Sequence, residues 1–109
     1  MSNTGLDINY DLDSRLYPYL KGMVSNLPNG SKLVMQALSN KDYNKEDLSL
    51  KAGVRRGELN SALNWIEALG LVAFSTSGRQ KLYQLTPLGE KAYKEFNDIF
   101  HSLKVDSRE

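Results

Sequence analysis

Between Asn44 and Gly70 the sequence specifies two helices and leaves almost no chain to join them. Asn44-Lys45-Glu46-Asp47 has a capping-box pattern, with Asn44 at the N-cap and Asp47 at N3. It predicts a short helix over 45–52 that turns Leu48 inward, with Ala52 beside it. Gly53 stops that helix, because a glycine takes the left-handed conformation at a helix end without steric cost. Helical spacing resumes at Arg56 and runs to Leu69, where Gly70 closes it in the same way. Two helices joined by so tight a glycine turn make a helix-turn-helix.

The second helix separates cleanly into faces. At about 100° per residue, with Asn60 at zero, Asn64 falls at about 40°, Gly57 at about 60° and Arg56 at about −40°. Ala62, Leu69, Ile66 and Leu63 fall on the opposite side, spanning about 180° to 300°. Leu59 lies among them, and Trp65 sits at about 140°, the edge of the apolar stripe, where a large amphipathic aromatic is expected to pack into the core. The polar side therefore consists of slim side chains with cations at its N-terminal end. Such a helix approaches base edges closely: Asn bonds adenine in bidentate fashion, Arg bonds guanine, and Arg55 and Arg56 lie where the helix N-terminus already favours phosphate. The alternative is a merely solvated face.

The segment after Gly70 favours contact with nucleic acid. Leu71-Val72-Ala73-Phe74-Ser75 and Lys81-Leu82-Tyr83-Gln84-Leu85 are strand patterns around Thr76-Ser77-Gly78-Arg79-Gln80, and together they predict a β-hairpin. Its tip offers Ser75, Thr76, Ser77, Arg79 and Lys81, hydroxyls and cations suited to phosphates or a minor groove. Net charge is only +1, but residues 48–81 hold five Lys/Arg (Lys51, Arg55, Arg56, Arg79, Lys81) against Glu58 and Glu67. The segments on either side, 1–47 and 82–109, are each −1. The excess positive charge coincides with the helix and hairpin tip. Glu58 and Glu67 argue for modest affinity, or for contacts confined to the N-terminal half of the helix.

The remaining segments frame this unit. Residues 6–12 alternate apolar and polar, as in a short edge strand or extended arm; a disordered tail is the other option. Ser14 to Leu27 repeats Leu16, Tyr17, Tyr19, Leu20, Met23, Val24 and Leu27 at helical spacing, with Pro18 in its first turn. Leu27-Pro28-Asn29-Gly30 is expected to turn, and Ser31 to cap a helix reaching Ser39. Thr86-Pro87 opens the last helix, whose stripe Leu88, Ala92, Tyr93, Phe96, Ile99, Phe100 and Leu103 continues for about five turns. The fold class is α+β, mainly α: a helix-turn-helix with a hairpin and a long C-terminal amphipathic helix. Residues 1–30 form an N-terminal arm and helix, 31–96 the domain proper and 97–109 a helical extension and tail.

That long stripe overruns what one small core can bury, so Phe96, Ile99, Phe100 and Leu103 are expected to form a homodimer interface. The competing arrangement packs them on the Leu16–Val24 segment of the same chain. A dimer would place two such helices about one duplex turn apart.

Several function classes are disfavoured. The chain has no Cys and one His, His101, which excludes disulfides, thiolate metal sites and thiol catalysis; no metal or other cofactor is expected. His101 is expected to be an ordinary packed or solvated histidine. No apolar run reaches the ~20 residues that span a bilayer, and the N-terminus lacks the regions of a signal peptide, which fits a cytoplasmic chain without a membrane partner. No nucleophile–base pair or phosphate-cradling glycine loop points to an enzyme.

Two family likenesses attach to these residues. Gly53-Val54, then Ile66-Glu67-Ala68-Leu69-Gly70-Leu71-Val72, then Tyr83-Gln84-Leu85-Thr86-Pro87-Leu88-Gly89-Glu90-Lys91-Ala92-Tyr93 resembles the winged-helix superfamily, including the MarR-like regulators. The resemblance covers residues 31–96 and identifies a fold better than a function. It implies double-stranded DNA as partner and transcription regulation as role. Groove contacts would fall to Arg55, Arg56, Gly57, Asn60, Ser61 and Asn64, and wing contacts to Ser77, Arg79 and Lys81. Part of the same stretch, Ala62-Leu63-Asn64-Trp65 through Val72 and Tyr83 to Tyr93, is also similar to the N-terminal winged-helix region of archaeal and eukaryotic-type phenylalanyl-tRNA synthetase alpha chains. That likeness implies a tRNA-associated fragment, although no class II catalytic core follows and the longer terminal helix departs from the pattern. A third option is a protein-docking module on the same fold, which the low net charge would suit.

Overall fold

Local capping chemistry sets several element boundaries. The structure, a computed structural model, describes residues 16–100. Its elements are α1 (Leu16–Ser25), α2 (Asn29–Leu38), α3 (Lys45–Ala52), α4 (Arg56–Ala68), β1 (Val72–Ser77), β2 (Gln80–Leu85) and α5 (Pro87–Glu95). The Asn44 side chain accepts a hydrogen bond from the Asp47 amide at 2.8 Å, and Gly53 ends α3 with φ 73°. Gly70, at φ 79°, closes α4: its amide donates to Glu67 O, and the Leu71 amide donates to Ile66 O. That pair of bonds is the Schellman arrangement and satisfies two carbonyls left over at the helix end.

The hairpin is longer and its turn tighter than the sequence suggests. β1 and β2 are antiparallel and in register from Val72↔Leu85 to Ser77↔Gln80, so only Gly78 and Arg79 form the turn. Gly78 has φ 64°, the positive value that a type II′ hairpin requires at its first central position. Tyr43 adds a third, one-residue strand: its amide donates to Tyr83 O at 3.2 Å, and it accepts from the Tyr83 amide at 2.8 Å. The hairpin is thereby fixed to the entrance of α3.

The core lies where α2 crosses α4 and α3, and it continues to α1 and α5. Val24, Val34, Met35, Leu48, Leu59, Ile66 and Leu71 are buried. Each is worth roughly 1.5–3 kcal/mol relative to exposure. The polar contents are small. Ser31 is fully buried, and its hydroxyl donates to the Ala62 carbonyl at 3.5 Å.

That serine corrects one expectation. Ser31 does not cap α2; the helix begins two residues earlier, at Asn29, with Pro28 at the N-cap. Asn29-Gly30 reads locally as a turn, but the crossing with α4 needs small residues. The Glu58 carboxylate lies 2.8 Å from where a Gly30 Cβ would stand. A second correction concerns Trp65, which is 54% exposed and outside the core. Among the described residues, no element packs on that flank of α4 closely enough to cover an indole.

The C-terminal stripe divides. α5 stops at Glu95, Phe96 leaves helical geometry at φ −112°, ψ 37°, and a further helical turn covers 97–100. Phe96 is buried with its ring 5.2 Å from that of Tyr17, and Phe100 is buried against Tyr93 at 4.8 Å. Both are thus packed within the chain, on α1 and on α5 itself, and are not exposed for an interface. Ile99 is half-buried. Leu103, His101 and the 6–12 segment lie outside the described residues.

Candidate nucleic-acid interface

The tight joint between α3 and α4 is held by one residue that the sequence pattern does not single out. Ser49 accepts the Gly53 and Val54 amides at its carbonyl, at 3.0 and 3.1 Å, and its hydroxyl donates to the Val54 carbonyl at 2.5 Å. Three bonds from one residue fix how α4 leaves the turn. α4 then buries Leu59, Ala62, Leu63 and Ile66. Arg55, Arg56, Gly57, Asn60, Ser61 and Asn64 are all exposed, together on the opposite side. The polar side is not packed against the chain's own body. At Gly57 a side chain would meet nothing within 4 Å, so the backbone there is open to close approach.

The two glutamates do not share this surface equally. Glu58 lies against Gly30 at the start of α2, where the helix N-terminus favours a carboxylate. Glu67 is half-buried, and its charge, after burial itself, holds the Tyr83 phenol above its usual 10.0. Glu67 is thus partly withdrawn into the protein, whereas Glu58 leans toward Gly30 but stays exposed.

The hairpin is anchored below α4 by a set of bonds at Thr86. Its amide donates to Leu71 O at 3.0 Å, and its hydroxyl donates to Gly70 O at 2.6 Å. The same hydroxyl accepts from the Gly89 amide at 3.0 Å, capping α5. One threonine thus ties the end of α4, the base of the hairpin and the start of α5. From that base the strands project outward, and every residue from Ala73 to Lys81 is exposed. Ser77, Arg79 and Lys81 occupy the tip, as the sequence predicts. Lys81 is held: its Nζ lies 4.4 Å from the centroid of the Phe74 ring, itself 5.7 Å from the Tyr83 ring. This stack stiffens one face of the hairpin and fixes where the cation sits. Lys45 and Lys81 also share an open cleft of about 310 Å³ with Asn44, Glu46, Gln80 and Tyr83.

Among the described residues no group of three or more His, Cys, Asp or Glu is placed to hold a metal ion. Among them, too, no helix is long and apolar enough to cross a membrane. The arrangement offers hydrogen-bond donors, acceptors and cations on a projecting helix and a projecting hairpin.

Known structures share this architecture. A MarR-family transcriptional regulator from Silicibacter pomeroyi superposes with a TM-score of 0.65 at 21% identity, covering 83% of this chain and 67% of that one. BpsR of Bordetella bronchiseptica, whose DNA binding is regulated by 6-hydroxynicotinic acid, gives 0.65 at 19% identity, covering 84% and 77%. NadR in complex with 4-hydroxyphenylacetate gives 0.65 at 23% identity, covering 98% and 77%. The fold is a winged helix. No family model and no curated protein matches the sequence. At these identities the likeness concerns the fold, and it adds nothing to the likeness to the synthetase alpha chain. Within the winged helix, α3 and α4 are the helix-turn-helix, β1 and β2 the wing, and Tyr43 the third strand of the wing sheet.

Proposed function

We propose that this winged helix is a transcription regulator that binds double-stranded DNA, α4 entering the major groove and the wing touching the flanking backbone. The observation that carries the reading is the uninterrupted exposure of Arg55, Arg56, Gly57, Asn60, Ser61 and Asn64 beside a wing that ends in Ser77, Arg79 and Lys81. Asn60 and Asn64 are the base-reading side chains, with bidentate geometry toward adenine. Arg55 and Arg56 meet phosphate at the α4 N-terminus, where the helix dipole adds to their charge. Arg79 and Lys81 contact the backbone or minor groove and position the protein without reading sequence. Glu67 is half-buried, and the exposed Glu58 carboxylate leans toward Gly30, away from the Asn60–Asn64 side of α4. The neighbours' description as transcriptional regulators supports the same reading.

The proposal includes a homodimer, since two copies would address a two-fold site. With Phe96 and Phe100 buried, the proposed interface keeps half-buried Ile99 and also Leu103, the latter outside the described residues, and takes in Tyr19 of α1, which is 67% exposed. Sedimentation at tens of micromolar that finds only monomer removes the dimer and leaves the DNA reading in place.

The binding claim is tested by fluorescence anisotropy of a labelled random duplex at low salt. The wild-type protein binds; the double variant Arg56→Ala, Arg79→Ala loses most of that binding while keeping its fold by circular dichroism. Full binding by the double variant, or none by the wild type, rejects the proposal in favour of a docking module.

A further inference from the structure

The chain has one tryptophan, and it is more than half exposed. An indole ordinarily buries 150–250 Å² of largely apolar surface. Holding it in water forgoes that stabilisation, and large exposed aromatics mark interfaces. Among the described residues Trp65 makes no ring–ring or cation–ring contact, unlike Phe74, which is capped by Lys81 and Tyr83.

Its position on α4 indicates the occupant. With Asn60 at zero, the exposed residues form one arc from Arg56 at about −40° through Asn64 and Ser61 to Trp65 at about 140° and Glu58, about two turns earlier, at about 160°. Ser61 lies one turn before Trp65 and Ala68 about one turn after, both exposed and both small, so the indole stands clear on that flank. The arc is centred near Gly57, at about 60°, which puts Trp65 about 80° from the centre. A helix about 10–12 Å across fills a major groove about 12 Å wide, so its flanks face the sugar–phosphate walls. Trp65 also lies about 13 Å along the axis from Arg56, at 1.5 Å per residue, in the C-terminal half of α4, whereas the N-terminal residues of a groove-reading helix are the ones that reach base edges.

We infer that Trp65 is a backbone-contact residue of the duplex interface. Its ring packs on a deoxyribose along one groove wall, and its Nε1–H donates to a phosphate oxygen. The inference rests on the DNA-binding reading and extends it to a residue that sequence periodicity assigns to the core. The contact carries no base information, so it strengthens binding equally on all sequences.

Because the tryptophan is unique, its emission reports this contact alone. Random-sequence duplex is titrated into the protein at low salt, following labelled-DNA anisotropy and, in parallel, Trp65 emission and its quenching by iodide. As anisotropy rises, the emission changes and iodide access falls. Trp65→Ala, which keeps the wild-type melting temperature, weakens binding at least about fivefold on every duplex tested, the scale of an aromatic interface anchor. Trp65→Phe, which keeps the ring and loses the N–H, falls between the two. A rise in anisotropy with iodide access unchanged, and with Trp65→Ala binding as wild type, overturns this inference and leaves the DNA-binding reading intact. Iodide protection that develops on concentrating the protein without DNA assigns the flank to a protein interface and also overturns it. No rise in anisotropy removes the DNA-binding reading itself, and the role of Trp65 with it.

Discussion

Gly89 at the start of α5 lies directly against the carbonyl oxygen of Leu71 at the base of the wing. A Cβ on Gly89 would collide with that oxygen and stand 3.0 Å from its carbon and 3.4 Å from Leu71 Cα. The same carbonyl accepts the Thr86 amide. The contact therefore sets how closely α5 approaches the strand that follows α4, and with it the angle at which the wing projects. Alanine elsewhere in a helix is worth about 1 kcal/mol over glycine. Here the sign reverses, and Gly89→Ala is expected to cost about 1–3 kcal/mol through overpacking. Urea unfolding measures it, with the midpoint falling and the slope unchanged.

Gly57 is the contrasting case. It lies in the first turn of α4, with open space where a side chain would stand. Gly57→Ala should raise stability by up to about 1 kcal/mol. If α4 enters a groove, the added methyl stands between backbone and DNA. Stability measured by urea then rises while duplex affinity falls.

Ser49 holds the joint between α3 and α4 through its hydroxyl bond to Val54. Ser49→Ala removes one part-buried hydrogen bond, at a cost of about 1 kcal/mol. Loosening the angle of α4 should weaken duplex binding beyond what the small fraction of unfolded protein explains. Anisotropy titrations under conditions where both proteins are fully folded make the comparison.

Tyr83 gives the wing a pH dependence. Burial, aided by the Glu67 charge, holds its phenol above 10.0, so the folded chain keeps a proton that the unfolded chain releases from about pH 10 upward. The folded state then binds more protons, and its stability falls as pH rises through that range. Below pH 10 the contribution is fully present. Thermal melts from pH 9 to 11 should show the wild type losing stability faster than Tyr83→Phe.

Capping residues make much of this fold legible in the sequence. Asn44, Gly53, Gly70 and Thr86 each act through bonds to their own neighbours in the chain, and all four fall where the pattern puts them. The solvent-facing arc from Arg56 to Asn64 is equally plain, because it needs only the helical period. Local pattern fails where distant segments decide. Asn29-Gly30 is helical because α4 packs beside it and Glu58 lies over Gly30, 28 residues further along the chain. Trp65 is exposed because, among the described residues, no element covers its flank. Phe96 breaks the last helix without Gly or Pro, so the apolar period runs through the break undisturbed. Tyr43 is a strand of one residue, too short to have a pattern.

That an exposed α4 face and a cationic wing grip duplex DNA is most directly tested by the salt dependence of binding. Association constants for a random duplex are measured across a range of salt concentrations and plotted on logarithmic axes, for the wild type and for Arg79→Ala. Counterion release predicts a steep negative slope for the wild type and a slope shallower by about one for Arg79→Ala. A flat wild-type line, or identical slopes for the two proteins, would contradict the claim.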